Sequence, residues 1–106
     1  MNPVLRDEFI AKRERLVSLC TQHGVSALDL FGSGVSDAWR PDDSDLDFVV
    51  TFDASSTIGL ADRYLGLAEG LEALFGRPVD LITPAAMRNP YFRARVEATR
   101  NRVYAE

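Results

Sequence analysis

One stretch of alternating residues, 45–52, constrains the fold of this chain more than any other feature. Its sequence is Asp-Leu-Asp-Phe-Val-Val-Thr-Phe, and its apolar members on one face would be Leu46, Phe48, Val50 and Phe52. Because successive side chains of a strand point to opposite faces, the pattern predicts a strand with one face in the core. Asp45 and Asp47 then project together from the other face.

Composition limits the class of protein. The chain has 106 residues, 46% hydrophobic and 26% charged, so we expect a single domain over residues 1–106. Its net charge of −4 argues against a general nucleic-acid binder. Its apolar runs are shorter than the roughly 20 residues of a membrane span, and its charged first 20 residues do not resemble a secretory signal. A single cysteine, Cys20, excludes an internal disulfide and is compatible with the cytoplasm, where we expect the protein to act.

The remaining pattern predicts an α+β fold, with helices packed against a small mixed sheet of about three strands. Helical spacing predicts helices over 5–21, 58–75 and 90–104, and a short helix or turn over 34–40. Strands are expected over 25–31, 45–52 and 77–82. Ser55-Ser56-Thr57 offers N-caps for the second long helix, and Thr83-Pro84 and Asn89-Pro90 each combine an N-cap with proline at the first helical position.

Three aspartates occupy comparable places in this plan. Asp45 and Asp47 lie on one predicted strand and Asp80 on the next, after an intervening helix. If the strands are neighbours, three carboxylates meet at one sheet edge, which is a ligand set for two Mg²⁺ ions in in-line phosphoryl or nucleotidyl transfer. Gly32 would let a substrate approach the backbone closely. Ser33 would offer its N–H and hydroxyl to phosphate at the start of a short helix.

Each motif has an ordinary structural interpretation beside the functional one. Short motifs such as Asp-x-Asp and Gly-Ser are common, and their order on strand, turn, strand, helix and strand is what favours a site. His23 is expected to end a helix together with Gly24, and Cys20 to lie in the core. Seven aspartates in residues 29–53 fit cation binding, although loop aspartates alone would explain part of this excess. The arginines of residues 88–102 are expected on a solvated helix face, with some of them able to reach phosphate or an acidic partner.

The spacing of these motifs resembles a known superfamily. Gly32-Ser33, eleven residues and then Asp45-Leu46-Asp47 is similar to the signature of the DNA polymerase beta-like nucleotidyltransferases, in particular the minimal nucleotidyltransferases. Residues 78–83 resemble the strand with the third carboxylate, and residues 88–105 the C-terminal helix. The resemblance implies that Asp45 and Asp47 bind metal and that Asp80 completes the site and activates the acceptor. It also implies that Gly32 and Ser33 hold the triphosphate.

The resemblance further implies a partner. Many minimal nucleotidyltransferases act as antitoxins that use ATP and Mg²⁺ to transfer AMP to a tyrosine of a HEPN-domain toxin. Many members also carry an arginine shortly after Gly-Ser, and here Ser36 stands in its place. The alternative is therefore an antitoxin of this fold that neutralises its partner by binding alone. A third hypothesis is a nucleotidyltransferase acting on a small molecule or an RNA end. The sequence leaves homo- and hetero-oligomers open.

Overall fold

A computed structural model describes residues 1–35, 45–54 and 59–106. The helices are α1 (Pro3–Ala11), α2 (Arg13–Gln22), α3 (Leu60–Phe75) and α4 (Pro90–Thr99), and the strands are β1 (Val25–Phe31), β2 (Leu46–Phe52), β3 (Val79–Ile82) and β4 (Asn101–Ala105). Two 3₁₀ turns, Gly32–Val35 and Pro84–Arg88, follow β1 and β3. No helix within the described ranges has the length and apolar character needed to cross a membrane.

The described strands form one mixed sheet in the order β3-β2-β1-β4. β2 and β3 run parallel, joined through α3, and the pairings of β1 with β2 and with β4 are antiparallel. The α+β class with a small mixed sheet is thus confirmed. The predicted count of about three strands was one short.

Helices α1, α2 and α3 cover one face of the sheet. The apolar alternation of β2 explains this, because Leu46, Phe48 and Val50 are completely buried and enter one core with Leu28 and Leu30 of β1. Rings from three elements meet there: the Phe9 centroid lies 6.2 Å from that of Phe48 and 4.6 Å from that of Phe75. The face of β2 opposite to its aspartates therefore lies in this core.

A smaller core lies on the other sheet face. It consists of three buried residues: Val49 of β2, Met87 of the turn Pro84–Arg88, and Val96 of α4. Three partly buried side chains pack around them: Phe31, Ile82 and Phe92. α4 begins at an N-cap, where the Asn89 side chain accepts hydrogen bonds from the N–H groups of Tyr91 and Phe92, as predicted. Since Asp47 alternates with Phe48 and pairs with Phe31, this is also the face on which it lies.

Of the predicted helices, one is interrupted and another ends earlier than the sequence pattern indicates. The helix expected over 5–21 breaks at Lys12, whose Nζ donates to Glu8 and to the carbonyl of Leu74, 2.8 Å away. The helix expected over 90–104 ends at Thr99, because Arg100 adopts an extended backbone conformation. Residues 101–105 then add a strand to the open edge of β1. This pairing between distant segments replaces the last helical turn.

The apolar face predicted for α3 was also partly wrong. From the sequence, helical spacing predicts that it consists of Ala61, Tyr64, Leu65, Ala68, Leu71 and Phe75. Leu65 is 58% exposed, whereas Arg63, Leu67, Leu71 and Phe75 are buried at helical spacing. Arg63 is held by a 2.8 Å hydrogen bond from its guanidinium to the carbonyl of Asp53. The helix begins at Leu60, and the proposed caps Ser55-Ser56-Thr57 lie outside the described residues. Thr83 makes no side-chain cap hydrogen bond to the turn that follows it.

Candidate active site

The parallel pairing of β2 and β3 places Asp47 directly opposite Asp80. Both residues occupy the second position of their strands, so their carboxylates emerge at the same end of the sheet. Asp45 is exposed just before β2, two residues earlier than Asp47. The structure therefore brings the three predicted carboxylates into one neighbourhood.

The electrostatics of Asp47 reflect that crowding. Burial raises the pKa of Asp47 to about 6, and the charge of Asp80, a hydrogen bond with Asp80 and the charge of Asp45 act in the same direction. A half-buried carboxylate beside two others concentrates negative charge at this end of the sheet. Such a position favours a bound cation or a shared proton.

The donor set fits a hard divalent cation, since it consists of carboxylate oxygens. Among residues 1–35, 45–54 and 59–106, no group of three or more His, Cys, Asp or Glu is arranged to hold a metal on its own. Mg²⁺ commonly takes one or two protein carboxylates and completes its octahedron with water and substrate phosphate. The pair Asp47 and Asp80, with Asp45 nearby, matches that mode of binding better than it matches a closed protein cage.

Gly32 fits against this carboxylate pair. It has a φ of +74°, and a Cβ at this position would lie 2.7 Å from Oδ2 of Asp47. Its N–H donates a 2.9 Å hydrogen bond to Oγ1 of Thr99 at the end of α4, so this amide is already occupied. The side chain of Ser33 and all of residues 36–44, including Ser36, lie outside the described part of the chain.

Two cavities flank the carboxylates beneath α4. Their volumes are about 540 and 370 Å³, and both are lined by Phe31, Asp47, Phe92 and Arg95. The larger cavity extends to Gly32 and Thr99, and the smaller to Asp80 and Tyr64. The Tyr64 hydroxyl donates a hydrogen bond to the carbonyl of Leu81, which attaches α3 to β3 beside Asp80.

The contribution of α4 to this site was missed from the sequence. Helical spacing puts Phe92, Val96 and Thr99 on one side of the predicted helix. The arginines were expected mainly in solvent, with contact to phosphate left open and no position singled out. In the structure Arg95 lines both cavities, and Thr99 bonds to Gly32. The available signal was the i, i+3, i+4, i+7 spacing, which adds residue 95 to the same face.

We expect Gly32→Ala to damage both stability and activity. The left-handed backbone costs an alanine about 1 kcal/mol, and its Cβ would displace the Asp47 carboxylate. Thermal unfolding should show a lower midpoint, and the activity that the sequence predicts for this site should fall by more than the loss of folded protein explains. Unchanged activity of the folded fraction would contradict the close fit between Gly32 and Asp47.

The chain is similar to known proteins over most of its length. Residues 12–104 match the family described as the nucleotidyltransferase domain. This chain belongs to that family. The match covers every described strand but the last residue of β4, and it confirms the family and the enzyme class predicted from Gly32-Ser33 and Asp45-Leu46-Asp47.

Individual relatives agree with this assignment. The chain is 32% identical over 90 residues to "Putative protein adenylyltransferase MJ1379" of Methanocaldococcus jannaschii, covering 85% of this chain and 86% of that protein. A solved structure described as a "putative minimal nucleotidyltransferase" is 32% identical, with a TM-score of 0.69 and 95% of both chains covered. The nucleotidyltransferase is also similar in fold to a chain in the complex of tri-AMPylated Shewanella oneidensis HEPN toxin with MNT antitoxin. That match has 16% identity and a TM-score of 0.59, and covers 92% of this chain and 73% of the other.

Proposed function

We propose that this protein is a metal-dependent adenylyltransferase that transfers AMP from ATP to a tyrosine hydroxyl of a HEPN-type toxin and so acts as its antitoxin. The observation that carries the proposal is the register of β2 and β3, which sets Asp47 beside Asp80 with Asp45 two residues away. The names of the similar proteins, a protein adenylyltransferase and an antitoxin bound to an AMPylated toxin, support the choice of AMP and of a protein acceptor.

The reaction follows from the acidic site. The acceptor oxygen attacks the α-phosphorus of ATP and forms a P–O bond, while the bond between the α-phosphorus and the oxygen bridging to the β-phosphate breaks and pyrophosphate leaves. We assign Asp80 to receive the acceptor proton, which then passes to water, because Asp80 is exposed and lies next to Asp47 at the strand end.

Asp45 and Asp47 would hold divalent metal, with Asp80 completing the set. Bound Mg²⁺, for which we propose two ions, would neutralise phosphate charge and align the attacking and leaving oxygens. Within the chain, Gly32 has no side chain and so lets the backbone at the end of β1 approach the Asp47 carboxylate closely. We propose that the triphosphate lies against the backbone at Gly32, whose N–H is already bonded to Thr99, and that Ser33 contacts its phosphates. Because ATP is a cytoplasmic metabolite, we place the reaction in the cytoplasm.

The test is label transfer to the toxin. The purified protein is incubated with α-³²P-labelled ATP, Mg²⁺ and a HEPN-domain toxin of the proposed class, and labelled toxin is resolved on a gel and mapped by mass spectrometry. We expect AMP on a toxin tyrosine and loss of toxin activity. Asp80→Asn should reduce labelling by about 100-fold or more, because the site loses a carboxylate at the reacting centre.

A matched variant controls for the general loss of one negative charge. Asp7→Asn removes an exposed carboxylate on α1, across the sheet from the site, and should label the toxin at the wild-type rate. If wild type transfers no label but still silences the toxin, the protein neutralises by binding alone and the enzymatic proposal fails. If label goes to a small molecule or an RNA end with no toxin present, the acceptor is wrong.

A further inference from the structure

We propose that Arg95 of α4 is a nucleotide-binding residue whose guanidinium contacts the phosphates of ATP. The inference rests on the proposed function and extends it, because it gives a role to a positively charged residue at the same site. It depends on three observations: the position of Arg95 on α4, its place between the two cavities, and the absence, among the residues that the structure describes, of an ion pair that would hold it elsewhere.

The position on the helix directs Arg95 toward the sheet. Phe92, Arg95, Val96 and Thr99 follow the i, i+3, i+4, i+7 spacing of one helix face. Val96 is completely buried, Phe92 packs on the same small core, and Thr99 accepts the hydrogen bond from Gly32. These three contacts fix the rotation of α4, so residue 95 lies beside the carboxylates although its side chain remains exposed.

Arg95 contributes a cation to both cavities. Each cavity is also lined by Asp47, and Phe31 and Phe92 form an apolar wall between them, with ring centroids 6.1 Å apart. A triphosphate that reaches the carboxylates through either cavity therefore passes the guanidinium. An arginine fork can donate two parallel hydrogen bonds to phosphate oxygens, which suits this role.

The neighbouring arginines have other partners or positions. Arg100 and Arg102 are both bound to Asp29, and Arg93 lies on α4 away from both cavities. Within the described ranges, no salt bridge is formed by Arg95. Its charge is thus available to a ligand, and Arg93 provides a matched control two residues away on the same helix.

The experiment compares affinities for ATP, AMP and adenosine by isothermal titration in the presence of Mg²⁺. Arg95→Ala should weaken ATP binding by about 10- to 100-fold, the effect of losing a charge-assisted hydrogen bond, and leave adenosine binding unchanged. Arg95→Lys should restore part of the affinity, since it keeps the charge but loses the fork. Arg93→Ala should bind ATP as wild type does. The thermal midpoint of Arg95→Ala should stay at the wild-type value, because its side chain is exposed.

The outcomes separate this inference from the proposed function. If wild type binds ATP and Arg95→Ala weakens it, the inference holds even when no AMP reaches a toxin. If wild type labels the toxin and Arg95→Ala has the same KM for ATP, the inference is wrong and the function stands. If Arg95→Ala and Arg93→Ala weaken ATP binding equally, the effect comes from the general loss of one positive charge, and the inference fails. An absence of ATP binding by wild type overturns both.

Discussion

Asp47→Asn is expected to lower nucleotidyl transfer by about 100- to 1,000-fold and, in metal-free buffer, to raise the thermal unfolding midpoint. The two effects have one cause. Asp47 is half-buried between two other carboxylates, which is useful for holding a cation and unfavourable when no cation is present. An asparagine of the same shape removes the repelling charge and with it the metal ligand.

The sign of the stability effect follows from the pKa. The folded protein raises the pKa of Asp47 from 3.8 to about 6, so the folded state holds this proton more tightly than the unfolded state does. Its carboxylate therefore costs stability as the pH rises from about 4 to about 6, and the full cost applies above that range. After allowance for solvent screening of a half-exposed group, we expect Asp47→Asn to gain about 1 kcal/mol, or about 4 °C, at pH 7.5.

Melting curves at two pH values and two metal conditions check this prediction. The gain from Asp47→Asn should be present at pH 7.5 and small at pH 4, where Asp47 is largely protonated. Added Mg²⁺ should raise the midpoint of wild type but not of the variant, since binding to the folded state stabilises only a protein that still has the ligand. Asp7→Asn should respond to Mg²⁺ as wild type does. A variant less stable than wild type at pH 7.5 would show that Asp47 is not under electrostatic strain.

The parts of the site that the sequence predicted are those set by local periodicity. The alternation of residues 45–52 determines which side chains share a face, and this alone is enough to place Asp47 on the side opposite the core. Its contact with Asp80 required only that β2 and β3 be neighbours. These relations involve two strands and one connecting helix, so a pattern within the chain was sufficient to infer them.

The parts that were missed depend on contacts between distant segments. β4 forms because the edge of β1 accepts residues about 75 positions away, and no periodicity in residues 101–105 distinguishes that outcome from a longer helix. The acidic cluster of residues 29–53 was likewise interpreted as cation binding, yet Asp29 is bound to Arg100 and Arg102. The same two arginines were expected on a solvated helix face, with contact to an acidic partner as the alternative, and the structure shows the alternative.

That ion-pair group supports the second large prediction: Arg100→Met with Arg102→Met should cost about 3–5 kcal/mol of stability at pH 7. Asp29 is 2% exposed on the strand β1 between β2 and β4, and Nε of Arg102 lies 2.9 Å from its Oδ1. Nε of Arg100 contacts the other carboxylate oxygen. Removing both partners leaves a buried charge with no compensation from either arginine.

The effect of pH on the stability contributed by Asp29 should have opposite signs in wild type and in this variant. Burial alone would raise the pKa of Asp29, but hydrogen bonds from Arg102 and Arg100 outweigh it, and the pKa is lowered from 3.8. The wild-type pair therefore contributes stability above pH 4 and loses it as the pH falls through the folded pKa. Without the arginines the pKa of Asp29 rises, so the difference in stability between the two proteins should narrow as the pH approaches 4.

Chemical unfolding at pH 7 and pH 4.5 measures both effects, and a third substitution tests their cause. Adding Asp29→Leu to the double variant removes the buried carboxylate that has lost both arginines, and it should recover most of the lost stability. An apolar residue suits this position because its neighbours are buried. If the triple variant is as unstable as the double, packing of the arginine side chains and not the ion pair holds β4. Because Arg100 directly follows Thr99, loosening this group should also release the hydrogen bond to Gly32, which makes the distant ion pair a support for the candidate site.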